Sequence, residues 1–112
     1  MKAARETLPA VRTRFLRGEL PVHARLMVKH ALKTSDGTEY PWAFVNSWSN
    51  PATVMANSAG DAIHDPHVRA GRPIVISTDT VVDWAIWIDG QGIVEGGLTN
   101  TIALSQGETD KP

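Results

Sequence analysis

The sequence contains no cysteine among its 112 residues, which excludes a disulfide framework, a thiolate nucleophile and metal sites built on sulfur ligands. It has no hydrophobic run approaching the ~20 residues that a membrane helix requires, and this argues against a membrane protein. The segment Met1–Glu6 lacks the apolar stretch of a secretory signal peptide. From these absences we expect a soluble, cytoplasmic protein.

Acidic and basic residues are unevenly distributed, although the formal net charge is only −1. Residues 1–33 hold eight Lys/Arg and two Asp/Glu, whereas residues 34–112 hold three and ten. Basic side chains can neutralise phosphates, and here the candidates are Arg12, Arg14, Arg17, Arg25 and Lys29. No aromatic residues are interleaved with these cations to stack on bases. The pattern therefore favours a solvated helix face and argues against a nucleic-acid partner.

Apolar residues at helical spacing, Leu8, Val11 and Phe15, predict a helix over residues 7–17. Thr7 is the expected N-cap, and Gly18 is expected to end the helix. Residues 1–6 either extend this helix or form a loose arm.

Alternating apolar and polar residues predict strands along the middle of the chain. The predicted strands span residues 22–33, 39–48, 52–57 and 74–76, and the aromatic residues Tyr40, Trp42, Phe44 and Trp48 share one face of the second. Residues 58–72 predict a loop, with one helical turn at 67–70, because turn-forming residues are frequent there.

The stretch from Val81 to Glu95 carries a specific β-hairpin signal. Trp84, Ile86 and Ile88 fall two residues apart, so an extended strand places them on one face. Asp89-Gly90 follows and tolerates the positive φ of a tight turn, after which the chain returns as a second strand.

Together these segments predict an α+β fold, in which an N-terminal helix packs on a twisted antiparallel sheet of about five or six strands. The chain is expected to form a single domain over residues 1–112, with a core over about 4–104. Residues 98–104 are expected to form a terminal strand or a short helix, and residues 105–112 a frayed polar tail.

Short motifs occur in a recognisable order along most of the chain. They are Thr7-Leu8-Pro9, Phe15, Val28-Lys29, Asp36-Gly37, Glu39, Trp42, Gly71, Asp83-Trp84, Gly90, Gly96-Gly97 and Thr99. In order and spacing they resemble the YegJ-like family of small bacterial proteins, a domain of unknown function, over about residues 4–104. The resemblance implies a compact α+β domain and carries over no catalytic residue.

The loop over residues 61–67 is the candidate metal site. Its two carboxylates and two imidazoles, from Asp61, Asp65, His64 and His67, are ligand types that zinc accepts. Polar residues also collect in surface loops, and Pro66 prevents a regular helical presentation of the two histidines. The sequence favours this second reading and predicts no metal or other cofactor.

Two further titratable residues have a structural and a catalytic interpretation. His30 lies on the apolar face of the first predicted strand, where a core histidine is the more frequent outcome than a general base. Asp83 either acts as a carboxylate with a raised pKa beside Trp84, or caps a turn and accepts backbone N–H bonds. We favour the structural interpretation for both residues.

The four tryptophans are the feature that bears most on function. Trp84 is expected in the core, whereas Trp42 and Trp87 are expected on strand faces that are exposed or half covered. The favoured hypothesis is a non-catalytic binding or accessory protein that contacts a bacterial protein partner, or a second copy of itself. The candidate contact residues are Tyr40, Trp42, Asp83 and Trp87. The alternatives are a metal-dependent enzyme using residues 61–67 and a nucleic-acid binder using the basic N-terminal part.

Overall fold

A computed structural model describes residues 2–97 and confirms the predicted α+β fold with an N-terminal helix. The described chain forms an α-helix, a six-stranded antiparallel sheet, a separate two-stranded hairpin and one turn of 3-10 helix. The elements are α1 (Lys2–Leu16), β1 (Ala24–His30), β2 (Leu32–Thr34), β3 (Gly37–Glu39), β4 (Trp42–Ser47), β5 (Thr53–Ser58), β6 (Pro73–Ser77), the 3-10 turn (Thr78–Thr80), β7 (Val81–Ile88) and β8 (Gly92–Gly96).

The main sheet has the strand order β6-β5-β4-β1-β7-β8, and every neighbouring pair is antiparallel. The longest strands, β1 and β7, lie side by side near the centre of the sheet. The hairpin of β2 and β3 forms its own small sheet.

The helix packs on one face of this sheet through a buried stripe of Ala4, Leu8 and Val11, which belongs to the same apolar core as Trp84 and Ile86. Because Ala4 is part of the stripe, α1 begins at Lys2 rather than at Thr7. The prediction that Thr7 caps the helix is therefore wrong. Gly18 does end the helix, with a φ of 68° and the Glu19 N–H bonded to the Arg14 carbonyl at 2.9 Å.

Three other local predictions require correction. The segment predicted as one strand over residues 22–33 is divided, because the ladder between β1 and β7 shifts register after Lys29 and Leu32–Thr34 pairs with β3 instead. A register shift in β4 between Val45 and Ser47 turns Trp48 away from the face of Trp42 and into the core. Residues 67–70 form turns, not a helical turn.

Within residues 2–97 the structure contains no helix that combines the length and the apolar character needed to cross a bilayer. The predictions for residues 98–104 and 105–112 lie outside the described residues.

Candidate functional site

The sheet face opposite α1 carries three aromatic and two basic side chains, which the strand register brings together. Arg25 pairs with Trp87 across β1 and β7, while Lys29 pairs with Trp42 across β1 and β4. Phe44 pairs with Met27 between them, and paired residues of antiparallel strands direct their side chains to the same face. We call this surface the aromatic face; it consists of Arg25, Lys29, Trp42, Phe44 and Trp87.

Both basic side chains of the aromatic face lie over aromatic rings. The guanidinium carbon of Arg25 is 3.7 Å from the centre of the Phe44 ring, and the Lys29 ammonium is 5.7 Å from that of Trp42. Such contacts hold the cations against the sheet by cation–π attraction. A stacked guanidinium uses its flat face for the ring and keeps its N–H edge available for acceptors.

Trp87 is half-buried, and the end of its own hairpin fixes its ring. Its Nε1 donates a hydrogen bond of 2.9 Å to Asp89 Oδ1 in the β7–β8 turn. Ile93 of β8 pairs with Trp87 on one side, and Arg25 of β1 pairs with it on the other. The indole therefore stands in a defined orientation at one end of the aromatic face.

The other two predicted contact residues occupy different positions. Tyr40 lies between β3 and β4, outside any strand of the sheet, and is 48% exposed. Asp83 is on the face of Lys29 but is only 1% exposed, and its Oδ1 accepts the Trp84 N–H at 2.8 Å. A side chain this buried offers no contact surface, so the aromatic face is defined without Asp83.

The sequence-based contact set omitted Arg25 and Phe44, as well as the apolar residues Met55 and Val75 on the same side of β5 and β6. Met55 and Val75 pair with each other and are 45% and 64% exposed. The period-two patterns of residues 22–33 and 39–48 contained the signal for Arg25 and Phe44. The sequence did not show, however, that these two segments pair with each other.

The polar side chains of residues 61–67, the candidate metal site, form hydrogen bonds and an ion pair with other groups of the protein. Asp61 Oδ1 accepts the Ala70 N–H and Asp65 Oδ1 accepts the His67 N–H, each at 2.9 Å. His64 Nδ1 lies 3.0 Å from Asp36 Oδ2 in the β2–β3 turn. Across residues 2–97 no three histidine, aspartate or glutamate side chains come together in an arrangement that suits a metal ion.

Glu39 holds this loop against the β2–β3 hairpin. Its two carboxylate oxygens accept the N–H groups of Ile63 at 2.7 Å and His64 at 2.8 Å. The bond from the Ile63 N–H, followed by that from His64, holds the pKa of Glu39 below its usual range because both favour the ionised carboxylate. The polar loop groups thus serve to anchor the loop.

His30 is 3% exposed at the end of β1, and its Nε2 has no hydrogen-bond partner among the described residues. Burial lowers the pKa of His30 because an imidazolium loses its hydration in the core. A general base needs contact with a substrate or water, and this ring has almost none. The burial agrees with the structural interpretation of His30.

Two arginines of the candidate nucleic-acid surface form hydrogen bonds or ion pairs within the protein. Arg12 donates to the carbonyls of Trp48 and Ser49 at 3.0 and 2.9 Å, at the edge of a cleft of about 310 Å³ between α1 and the segments that follow β4 and β6. Arg14 forms a two-pronged ion pair with Glu95 of β8 at 2.5 and 3.2 Å. These contacts hold the helix on the sheet, whereas Arg25 and Lys29 lie on the opposite face.

Fold and site together define a small α+β protein with a candidate binding surface on the helix-free face of its sheet. Comparison of the chain with protein-family models, curated proteins and solved structures gave no match. Membership of the YegJ-like family therefore stays a prediction.

Proposed function

We propose that this protein is a non-catalytic binding module that contacts a partner protein through the aromatic face. The partner is expected to present an extended segment that combines acidic and apolar side chains. The observation that carries the proposal is the pair of cations stacked on aromatic rings in the sheet face opposite the helix. In line with the family resemblance, we expect the partner to be a bacterial protein.

The composition of the aromatic face suits protein recognition. Tryptophan and arginine are the residues that most often dominate binding energy at protein interfaces, since they combine a large apolar area with directed polar groups. Trp87 is oriented by Asp89 and Arg25 by Phe44, so little side-chain freedom remains to be lost on binding. An oriented surface of this kind binds more tightly than the same residues in flexible loops.

The charge of the face determines the expected partner. The Arg25 side chain is exposed, and its stacked guanidinium presents an N–H edge that matches a carboxylate. Asp83, the acidic residue on the same face, is buried and contributes no exposed carboxylate. An aspartate or glutamate of the partner would then accept hydrogen bonds from Arg25, and a neighbouring apolar side chain of the partner would cover Phe44 and Trp87.

A single-stranded nucleic acid is the second candidate, since bases also stack on aromatic rings beside cations. The aromatic face brings Arg25 and Lys29 next to rings, which their spacing in the sequence did not indicate. Binding of a nucleic acid also requires contacts with several phosphates. Arg12 and Arg14 lie across the sheet from the rings and already bond within the protein, so a protein partner is favoured.

The test is a titration with three defined probes, followed by intrinsic tryptophan fluorescence and calorimetry. The probes are a synthetic peptide alternating glutamate with phenylalanine, the same peptide with glutamine for glutamate, and oligothymidylate. We expect only the acidic peptide to bind. Tighter binding of oligothymidylate would replace the protein-binding proposal with the nucleic-acid one, and equal binding of both peptides would remove the role of Arg25.

Matched variants localise the binding. Arg25→Gln is expected to lower the affinity for the acidic peptide by about tenfold, because it removes the charge and the bidentate donors together. Arg17→Gln removes an exposed cation just beyond the end of α1 and should leave the affinity unchanged. The same pair applies to capture from a bacterial lysate, where a partner lost with Arg25→Gln and retained with Arg17→Gln supports the proposal. Equal losses in both variants contradict it.

A further inference from the structure

Strand β6 forms one edge of the main sheet, and the hydrogen bonds around it show which backbone groups face outward. The Ser58 N–H bonds to the Arg72 carbonyl and the Thr78 N–H bonds to the Ala52 carbonyl, each at 2.9 Å. Backbone groups of successive residues alternate in direction along an antiparallel ladder, so Arg72, Ile74, Ile76 and Thr78 bond toward β5. The intervening residues, Pro73, Val75 and Ser77, therefore direct their backbone groups away from the sheet.

This edge lacks most of the features that prevent strands from pairing with other chains. The segment Pro73–Ser77 contains no charged residue, and the Val75 side chain is 64% exposed. Pro73 removes a single outward N–H at the start of the strand. The opposite edge, β8, carries Glu95 and joins β7 through a register shift, both of which discourage further pairing.

We propose that two copies of this chain associate by antiparallel pairing of their β6 strands across a two-fold axis at Val75. The two Val75 residues exchange N–H···O=C bonds, and each Ser77 N–H donates to the Pro73 carbonyl of the second copy. The Ser77 carbonyl would face a proline without an N–H, but it already accepts the Thr80 hydroxyl at 2.7 Å. The main sheets of both copies then form one continuous sheet.

Charge at the ends of the edge favours a second copy in this orientation. Arg72 directly precedes β6 and Asp79 follows it by two residues, and both side chains are exposed. Neither side chain makes an ion pair within residues 2–97. In this two-fold antiparallel register Arg72 of each copy lies opposite Thr78 of the other and therefore close to the next residue, Asp79, whereas a parallel pairing would bring like charges together. The Val75 side chains of the two copies also meet at the axis, each with Met55 of its own chain beside it on the same side of the sheet.

The test is sedimentation velocity of the full chain from micromolar to millimolar concentrations. We expect a reversible dimer, and Val75→Lys should weaken it by at least about tenfold because it places two ammonium groups across the axis. Val94→Lys, at an exposed position of β8, is the matched control and should leave the dimer intact. Circular dichroism and denaturant unfolding of each variant confirm that the monomer is folded.

Exchanging the charges of Arg72 and Asp79 provides a second test of the dimer. Arg72→Glu alone should weaken the dimer, and Arg72→Glu combined with Asp79→Arg should restore it. A wild-type chain that stays monomeric throughout, or a dimer that Val75→Lys leaves unchanged, overturns the proposal. A dimer lost with Trp87→Leu but not with Val75→Lys also overturns it, because that result would assign self-association to the aromatic face. The proposed function is tested separately by Arg25→Gln, so the two proposals fail independently.

Discussion

Trp84 Nε1 donates a hydrogen bond of 2.9 Å to Thr7 Oγ1, which joins α1 to the centre of β7. The Thr7 hydroxyl also lies 3.0 Å from the carbonyls of Ala3 and Ala4, so it donates within its helix while it accepts from the indole. A residue expected from the sequence to cap the helix thus serves as one of the polar links between helix and sheet.

Thr7→Val should destabilise the protein by about 1–2 kcal/mol, because it leaves the indole N–H of Trp84 without its acceptor. The measurement is the free energy of unfolding by urea. Thr13→Val is the matched control, since the Thr13 hydroxyl donates to the Pro9 carbonyl and its loss removes only that helix contact. An equal effect of both substitutions would show that the bond to Trp84 contributes nothing.

Arg12→Met should destabilise the protein by about 1–3 kcal/mol, because it removes two charge-assisted hydrogen bonds to the carbonyls of Trp48 and Ser49 while preserving much of the side-chain length. Arg17→Met serves as the control, as Arg17 lies exposed beyond the end of α1. The stability of both variants is measured by thermal and urea unfolding. A stability loss of under a few tenths of a kcal/mol in Arg12→Met would contradict the structural role of this residue.

Burial lowers the pKa of His30, so the folded protein resists protonation that the unfolded chain accepts at about pH 6.5. The unfolded state therefore binds more protons as the pH falls, and stability is lost from about that pH downward toward the pKa of the folded state. His30→Leu should remove this part of the pH dependence, whereas His67→Gln in the exposed loop should retain it. Urea unfolding at a series of pH values between neutral and mildly acidic provides the measurement. Parallel stability curves for wild type and His30→Leu would refute the assignment.

Gly96→Ala should be more destabilising than Gly71→Ala, although both glycines have positive φ, at 78° and 83°. At Gly71 a methyl group would meet no atom within 4 Å, so we expect only the backbone cost of about 1–2 kcal/mol. At Gly96 a Cβ would lie 2.5 Å from the Trp84 carbonyl oxygen, so β7 or β8 must move. Equal losses of unfolding free energy in the two variants would mean that this close approach is relieved without cost.

The local patterns were sufficient to predict the class of fold. Period-two alternation in residues 22–33 and 81–88 identified the two central strands, and Asp89-Gly90 identified the turn between β7 and β8. These features depend on neighbours in the sequence, since alternation follows from the strand repeat and a tight turn needs residues that accept positive φ. The start of α1 was misplaced because Ala4 contributes to the core only once β7 lies beside it.

The candidate site was less predictable, because its parts come from different strands. Trp42 and Trp87 were singled out by residue type, but their separation by β1 depends on the strand order. The interleaving of cations and rings arises across strands, where Arg25 meets Phe44, and not along the chain. Asp83 was predicted from the sequence as a candidate contact residue, yet its side chain is buried.

The sequence alone indicated the α+β class, about five or six strands, the helix and the closing hairpin, and it singled out Trp42 and Trp87 as candidate contact residues. Only the tertiary structure decided which strands are neighbours, which strands form the edges of the sheet and which cations reach the rings. The physical reason is that propensity and periodicity act over a few residues. Register and strand order, in contrast, are selected by the burial of distant side chains against one another.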